Sequence, residues 1–245
     1  EISECLVGSE MCIRDRPNSI SFYMRILRAV YNRAVEQELT IDRNPFRTVF
    51  TGVEKTRKRA ISISDIKRIR DLDLSLKPNL EFARNLFLFL FLCRGMSFID
   101  AAFLKKSDIQ SGILTYRRHK TNQVLHIKII KPIKELVDRY SSNDSPYLLP
   151  IITRPHCDER RQYETALRRV NKSLKTIAGM VKLPIPLTTY VSRHAWATIA
   201  KSKNIPVNVI SDALGHDSIA TTQIYLASID TSTIDRANEL IIKDL

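Results

Sequence analysis

Apolar residues recur every three or four positions along most of this chain, the spacing that places them on one face of an α-helix. The spacing predicts an amphipathic helix over residues 19–38, a long basic helix over 163–180 and, after Pro132, a shorter helix over 134–140. Residues 80–92 are apolar almost all round, which is typical of a helix at the centre of a core.

Two segments instead carry the alternating, β-branched character of strands. Residues 112–116 and 124–130 predict a small antiparallel hairpin with Lys120 at its tip, and 147–152 can add a short strand or an extended segment. The pattern as a whole therefore predicts a mostly α protein with a small antiparallel β-sheet, an α+β fold.

Residues 187–229, LTTYVSRHAWATIAKSKNIPVNVISDALGHDSIATTQIYLASI, predict three short consecutive helices. Asn204 can cap the second of them, which Pro206 opens and Gly215 ends. The apolar faces of the three helices comprise Ala195, Ile199, Val209, Ile210, Leu214 and Ile224.

Three polar side chains lie on these helices: Arg193, His216 and Tyr225. A polar group on a packed helix needs a hydrogen-bond partner or a chemical role. The motifs RHAWAT and LGHDSIATTQIY resemble, in order, those of the tyrosine recombinase (phage integrase) family, which has an arginine-histidine pair, then Leu-Gly-His, then Thr-Thr-x-x-Tyr. The resemblance runs from about Ser19 to the C-terminus and is nearest to the integrases of mobile genetic elements.

This resemblance implies five catalytic residues. Arg94 matches the first arginine of the family, Lys120 the hairpin lysine, Arg193 the second arginine, His216 the Gly-His histidine and Tyr225 the nucleophile. Their chemistry is coherent, because two guanidinium groups suit a phosphodiester whose negative charge grows during attack, and a lysine can protonate the leaving oxygen.

The implied function is site-specific strand exchange on double-stranded DNA through a 3′-phosphotyrosine intermediate, for integration or excision of a mobile element. The resemblance further implies a catalytic domain of the integrase type and a homotetramer on paired sites, without a cofactor or metal ion. Two rival functions stay open: a type IB topoisomerase that relaxes supercoils by the same chemistry, and a non-catalytic DNA-binding protein of the same fold.

One position departs from the family pattern. Tyr190 stands three residues before Arg193, where the family often has a histidine. A tyrosine can donate a hydrogen bond to a phosphate oxygen, although it is a poor base near neutral pH. Tyr190 is therefore grouped with the expected phosphate or DNA contacts on the hairpin and the long helix, which are Arg117, Arg118, Arg168, Arg169 and Lys172.

Taken singly, each candidate residue also has a purely structural interpretation. Tyr225 could be a half-buried aromatic side chain, and His216 could interact with a helix dipole. The arginines Arg94 and Arg193 could form structural ion pairs with Asp100 or Asp212. The joint order of the five residues is what favours catalysis.

Composition agrees with a nucleic-acid partner. The 39 basic residues outnumber the 26 acidic ones, and a net charge of +13 favours a polyanion. Four cysteines without metal-binding spacing predict neither a disulfide nor a metal site and favour a reduced, cytosolic setting. The family resemblance implies the bacterial cytoplasm and association with the nucleoid. The longest apolar run, 86–93, is too short to cross a membrane, so no membrane partner is expected.

Breaks in the pattern predict the domain boundaries. Residues 1–16 do not continue the helical pattern, and MCIRDR resembles a translated sequencing adaptor, so we interpret this segment as non-native. Residues 17–50 are then the remnant of a helical core-binding domain that clamps DNA, 51–60 a linker and 61–245 the catalytic domain. A terminal helix over 229–245 is predicted to dock on a neighbouring protomer or, equally, to pack on its own domain.

Overall fold

The protein is represented by a computed structural model that describes residues 17–52, 60–140, 145–219, 222 and 223. The chain divides into two compact units, 1–57 and 58–245, and the division falls inside the predicted linker. Each unit is considered by itself. Within the described residues, no helix combines the length and the apolar character needed to cross a membrane.

The described part of the first unit is built on one helix, α1 (Pro17–Glu36). Its side chains hold the segment that follows it: the Tyr31 hydroxyl donates to the Ile41 carbonyl at 3.0 Å and accepts from the Arg43 amide at 2.8 Å. The Ser21 hydroxyl donates to the Gly52 carbonyl at 2.5 Å. The helix begins and ends two residues earlier than predicted.

The second unit is mostly helical with one small sheet, as predicted. In chain order it contains α2 (Ile63–Arg70), α3 (Pro78–Leu92), α4 (Phe98–Ala102), a 3₁₀ turn (Lys106–Asp108), β1 (Ile109–Gln110), β2 (Ile113–Arg117), β3 (Val124–Lys128), α5 (Lys131–Tyr140), α6 (Glu159–Met180), α7 (Thr189–Ser202) and α8 (Val207–Leu214). Residues 219, 222 and 223 are also helical.

The core surrounds α3, whose apolar sequence predicted its central place. This helix packs against α6 on one side and α7 on another. Phe87, Phe89 and Leu90 have almost no exposed surface, and burying such a side chain contributes about 1.5–3 kcal/mol. Because α3 is fixed on several sides, the turn after its last residue is a rigid place for a functional side chain.

The sheet is antiparallel in the order β1-β2-β3. Leu114 pairs with Ile127, and Tyr116 with Leu125, so the buried face of the sheet is apolar. The third strand is β1, so of the two alternatives for 147–152 the structure excludes a strand of this sheet. That segment forms only one isolated bridge, because prolines at 146 and 150 cannot donate to a ladder.

The connection between α7 and α8 also differs from the prediction. Asn204 does not cap α8, since Pro206 occupies the N-cap position. Asn204 instead adopts a positive φ of 58° and its amide donates to Lys201 at 2.9 Å, which closes the C-terminal end of α7. Val209, predicted on the apolar face, is 47% exposed, whereas Ile210 is fully buried.

Candidate active site

Arg193 joins three separate segments of the second unit. It lies on the buried side of α7 and is 4% exposed. Its Nη1 donates to the Gly95 carbonyl at 2.8 Å, and its Nη2 donates to the Leu214 carbonyl at 2.6 Å and lies 3.0 Å from His216 Nε2. The end of α3, the end of α8 and the middle of α7 therefore meet at one guanidinium group.

The turn after α3 must be narrow to allow this contact. Gly95 has a φ of 69°, and a Cβ at this position would lie 2.8 Å from the Cα of Arg193. Only glycine fits that approach without displacement of α7. Arg94, just before it, also has a positive φ of 58°, an unusual conformation for arginine, and is partly buried.

A second glycine presents His216. Gly215 ends α8 in the left-handed conformation, and the His216 amide donates back to the Ser211 carbonyl at 3.1 Å. A Cβ on Gly215 would lie 2.6 Å from the Cδ of Arg118. The β2–β3 hairpin therefore packs directly on the turn that carries the histidine.

The hydrogen bonds of His216 define its tautomer. A guanidinium has only donors, so Nε2 of His216 accepts from Arg193. Nδ1 then carries the proton and donates to the Thr222 hydroxyl, 2.7 Å away. Thr222 is fully buried and was missed from the sequence, although it belongs to the Thr-Thr pair of the motif.

The charges of the site follow from burial. The pKa of His216 is lowered to about 4, first by burial and then by the nearby cations Arg193, Arg118 and Lys120, in that order of effect. Burial also lowers the pKa of Arg193 to about 10, with repulsion from Arg118 as the next cause. At neutral pH the histidine is therefore neutral and the arginine is charged.

The hairpin places Lys120 and Arg118 very differently. Lys120 is exposed in the turn between β2 and β3, as predicted, whereas Arg118 is 6% exposed. Its Nη1 donates to the Gly215 carbonyl, and its Nε lies 3.7 Å from an oxygen of Asp100. Arg118 was predicted among the surface DNA contacts, and the structure instead buries it.

The alternation of β2 explains that burial. Leu114 and Tyr116 face the core, so the next residue on the same face is Arg118, while Arg117 points outward. The period-two alternation of the strand predicts that Arg118 faces inward, whereas its positive charge predicts exposure. Arg117 is exposed, as predicted, and its Nη1 donates to the Asn122 carbonyl at 2.7 Å.

Two guanidinium groups are buried here, and one of them, Arg118, lies beside a buried carboxylate. Asp100, at 3% exposure, accepts from the Ser97 hydroxyl at 2.6 Å and the His119 amide at 2.9 Å. Because Arg193 and Arg118 are both cationic, the interior carries an excess positive charge. An anion in the adjacent space would compensate that charge and accept hydrogen bonds.

The structural ion pairs considered from the sequence are not found. Asp100 pairs with Arg118, and within the described residues no ion pair joins Arg94 or Arg193 to either Asp100 or Asp212. The described residues also contain no cluster of three or more His, Cys, Asp or Glu side chains that could hold a metal ion.

The other expected contacts lie at the surface. Tyr190 is 47% exposed on α7, with its ring edge-to-face against His194 at 4.6 Å. Arg168, Arg169 and Lys172 are exposed along α6. Tyr225 and the predicted terminal helix over 229–245 lie outside the described residues.

Comparison with known proteins assigns the family. Residues 64–231, more than half of the chain, match the phage integrase family. The chain belongs to this family. Its members are the tyrosine recombinases, which are DNA breaking-rejoining enzymes, and this phage integrase family member is an enzyme of that class.

The tyrosine recombinase XerA of Pyrococcus furiosus is 27% identical to this integrase family member over 231 residues, covering 91% of this chain and 75% of the relative. A lambda integrase fragment, solved as a dimer on a COC′ core site, superposes with a TM-score of 0.67 at 15% identity, over 93% of this chain and 80% of that one. The Tn1549 transposon integrase gives a TM-score of 0.61 at 16% identity, over 88% and 76%. At these identities the solved structures confirm the catalytic-domain fold.

Proposed function

We propose that this protein cleaves and rejoins double-stranded DNA at specific sites through a 3′-phosphotyrosine bond at Tyr225. The observation that carries the proposal is the excess positive charge around Arg193, where two guanidinium groups are buried and only Arg118 has an ion pair with a carboxylate among the described residues. A phosphodiester is the anion that such a site would bind. The family contributes the breaking-rejoining class of chemistry.

Arg193 retains donors for that phosphate. Among the described residues its three hydrogen bonds occupy three of the five N–H groups of a guanidinium, on Nη1 and Nη2. The remaining two, on Nε and Nη1, can donate to the non-bridging oxygens as their charge grows. Arg94 supplies a second guanidinium from the turn after α3, and Tyr190 a phenol from the first turn of α7.

In the proposed cleavage step the Tyr225 oxygen attacks phosphorus and the bond from phosphorus to the 5′-oxygen breaks. The 5′-oxygen leaves with a proton from Lys120. The phenol proton passes to Nε2 of His216, whose lone pair becomes available when Nη2 of Arg193 turns from the histidine to the phosphate. A bound phosphate raises the His216 pKa from its low value, because its negative charge offsets the neighbouring cations. Attack by the 5′-hydroxyl of another strand on the phosphotyrosine reverses the step and completes the exchange.

The test is covalent adduct formation on a nicked suicide substrate, which traps the cleaved product. The unsubstituted chain should form a denaturation-resistant adduct, and Tyr225→Phe should form none while binding DNA normally. Tyr190→Phe is the comparison variant, because it removes a proposed hydrogen bond to the phosphate but not the nucleophile; it should form the adduct more slowly, yet still form it. Adduct formation by the Tyr225→Phe protein would contradict the assignment.

We further propose that 61–245 is the catalytic domain, that 17–50 contributes to a DNA clamp, and that four copies assemble on paired sites in the bacterial nucleoid. The exchange serves integration or excision of a mobile element, as the RHAWAT and LGHDSIATTQIY motifs indicate. A two-plasmid assay with DNA from the flanks of the gene tests this: joined plasmids are expected, and relaxation of supercoils without joining contradicts it.

A further inference from the structure

The turn that carries Lys120 and the turn that carries His216 are bound to each other through Arg118. The Arg118 Nη1 donates to the Gly215 carbonyl, and the Thr121 hydroxyl donates to the same oxygen at 3.1 Å. From the far side of the hairpin, the Gln123 amide donates to the His216 carbonyl at 3.4 Å. The residues flanking Lys120 on both sides therefore hold the segment that precedes and includes the histidine.

Arg118 also shapes the turn in which Lys120 lies. Its amide donates to the Gln123 carbonyl at 2.8 Å, and its carbonyl accepts from the Asn122 amide at 2.9 Å. The side chain leaves this turn and enters the interior, where its Cδ occupies the space beside Gly215 that a Cβ would need. Arg118 thus fixes both the backbone of the Lys120 turn and the distance of that turn from α8.

Within the described parts of the chain, the buried guanidinium of Arg118 forms an ion pair with one carboxylate, that of Asp100. Asp100 lies 3.7 Å from the Arg118 Nε, and that Nε has no hydrogen-bond partner among the described residues although it is fully buried. A buried, incompletely paired guanidinium is unfavourable for stability alone, and such features concentrate at functional sites. Asp100 also binds the His119 amide, next to Lys120, at 2.9 Å.

We propose that Arg118 is a positioning residue that aligns the Lys120 ammonium with the leaving 5′-oxygen by locking the hairpin to the Gly215–His216 turn. This inference rests on the proposed function of Lys120 as the proton donor. Without the Arg118 side chain the exposed turn keeps the contacts of Thr121 and Gln123 with the Gly215–His216 turn. The Lys120 ammonium then samples many positions, and proton transfer to the leaving 5′-oxygen slows. Loss of the Arg118 charge also acts on Arg193 and His216, but that change affects every substrate alike and cancels when two substrates that differ only in the leaving group are compared.

The test compares two suicide substrates, one normal and one with sulfur in place of the 5′-bridging oxygen, a leaving group that needs no proton. Arg118→Met should slow cleavage of the oxygen substrate about 10²-fold, a typical general-acid contribution, and leave the sulfur substrate within about tenfold of the unsubstituted chain. The double variant with Lys120→Ala should be no slower on the oxygen substrate than Lys120→Ala alone.

Arg84→Met is the matched control for loss of a buried arginine. Arg84 is also largely buried, donates to the Leu72 carbonyl and lies 3.6 Å from Glu81, away from the site. The Arg84→Met variant should leave the ratio of the cleavage rates on the two substrates unchanged. Thr121→Val removes the second hydrogen bond to the Gly215 carbonyl and a long one, 3.5 Å, that the Thr121 hydroxyl accepts from Arg118. This milder variant should shift the ratio of the two cleavage rates in the same direction, and it replaces Arg118→Met as the test if that variant does not fold.

The outcomes separate the inference from the proposed function. If Arg118→Met slows cleavage of both substrates equally, while the sulfur substrate still restores cleavage by Lys120→Ala, the positioning role of Arg118 is overturned and the proposed function is not. If the sulfur substrate does not restore cleavage by Lys120→Ala, Lys120 is not the proton donor, and the inference about Arg118 is overturned as well. Absence of any adduct from the unsubstituted chain contradicts the proposed function itself.

Discussion

The interior cluster of Arg118, Arg193 and Asp100 and the outer face of α6 are both rich in arginine, but they differ in burial and in partners. In the cluster, backbone carbonyls fix both guanidinium groups, and the buried carboxylate of Asp100 lies beside that of Arg118. On α6, Arg168 and Arg169 stand in solvent, and Arg168 has only a neighbouring Glu164 at 3.7 Å. Fixed cations can act on one phosphate in a defined geometry, whereas exposed ones can follow a DNA backbone with little geometric demand.

We expect the largest effect from Arg193→Lys, which alters the fixed interior cluster. A lysine keeps the charge but cannot bind the Gly95 and Leu214 carbonyls and a phosphate with a planar fork. We expect cleavage on the suicide substrate to fall by about 10³-fold or more while DNA binding changes little. Cleavage within tenfold of the unsubstituted rate would show that this fixed geometry is not needed.

The next largest effect is expected from Gly95→Ala. The added methyl would lie 2.8 Å from the Arg193 backbone, at a φ of 69°. Strain of this kind costs about 1–3 kcal/mol, so denaturant titration should show a lower free energy of unfolding. Gly112→Ala is the control, because that glycine also has a positive φ but nothing lies within 4 Å of its Cβ position. Equal losses would show that the close approach of Arg193 adds nothing.

The sequence predicted part of the interior site, and the part that it did not predict depends on contacts between distant segments. Arg193 and His216 lie in short motifs, and helix periodicity brings both to one region, so their proximity was expected. The burial of Arg118 depends on the pairing register of β2, and the hydrogen bond between His216 and Thr222 depends on how two helices pack. Such contacts between distant segments leave only a weak signal in local patterns.

The site should also make stability depend on pH. The pKa of His216 is about 4 in the folded protein and about 6.5 in an unfolded chain, so the unfolded state takes up a proton first as the pH falls. The free energy of unfolding should therefore decrease from pH 6.5 to 4, by about 1 kcal/mol after allowance for solvent screening. His216→Gln should lack this component of the pH dependence. An identical slope in both proteins over this interval would exclude His216 as its source.

The smallest effect is expected from the exposed face of α6, and it appears in binding alone. Replacing Arg168, Arg169 and Lys172 with Gln should weaken binding to all duplex sequences alike, because phosphate contacts carry no base information. If each contacts one phosphate, the slope of log affinity against log salt should fall by about 0.9 for each residue, or about 2.7 for the triple variant. Adduct formation at saturating DNA should stay unchanged, since none of the three belongs to the interior cluster.

The control makes the same charge change on α5, by replacing Lys131, Lys134 and Arg139 with Gln. Of these cations, Lys134 already pairs with Asp138 at 2.6 Å. An equal loss of slope in both triple variants would show that net charge, and not the α6 face, governs the contact with DNA.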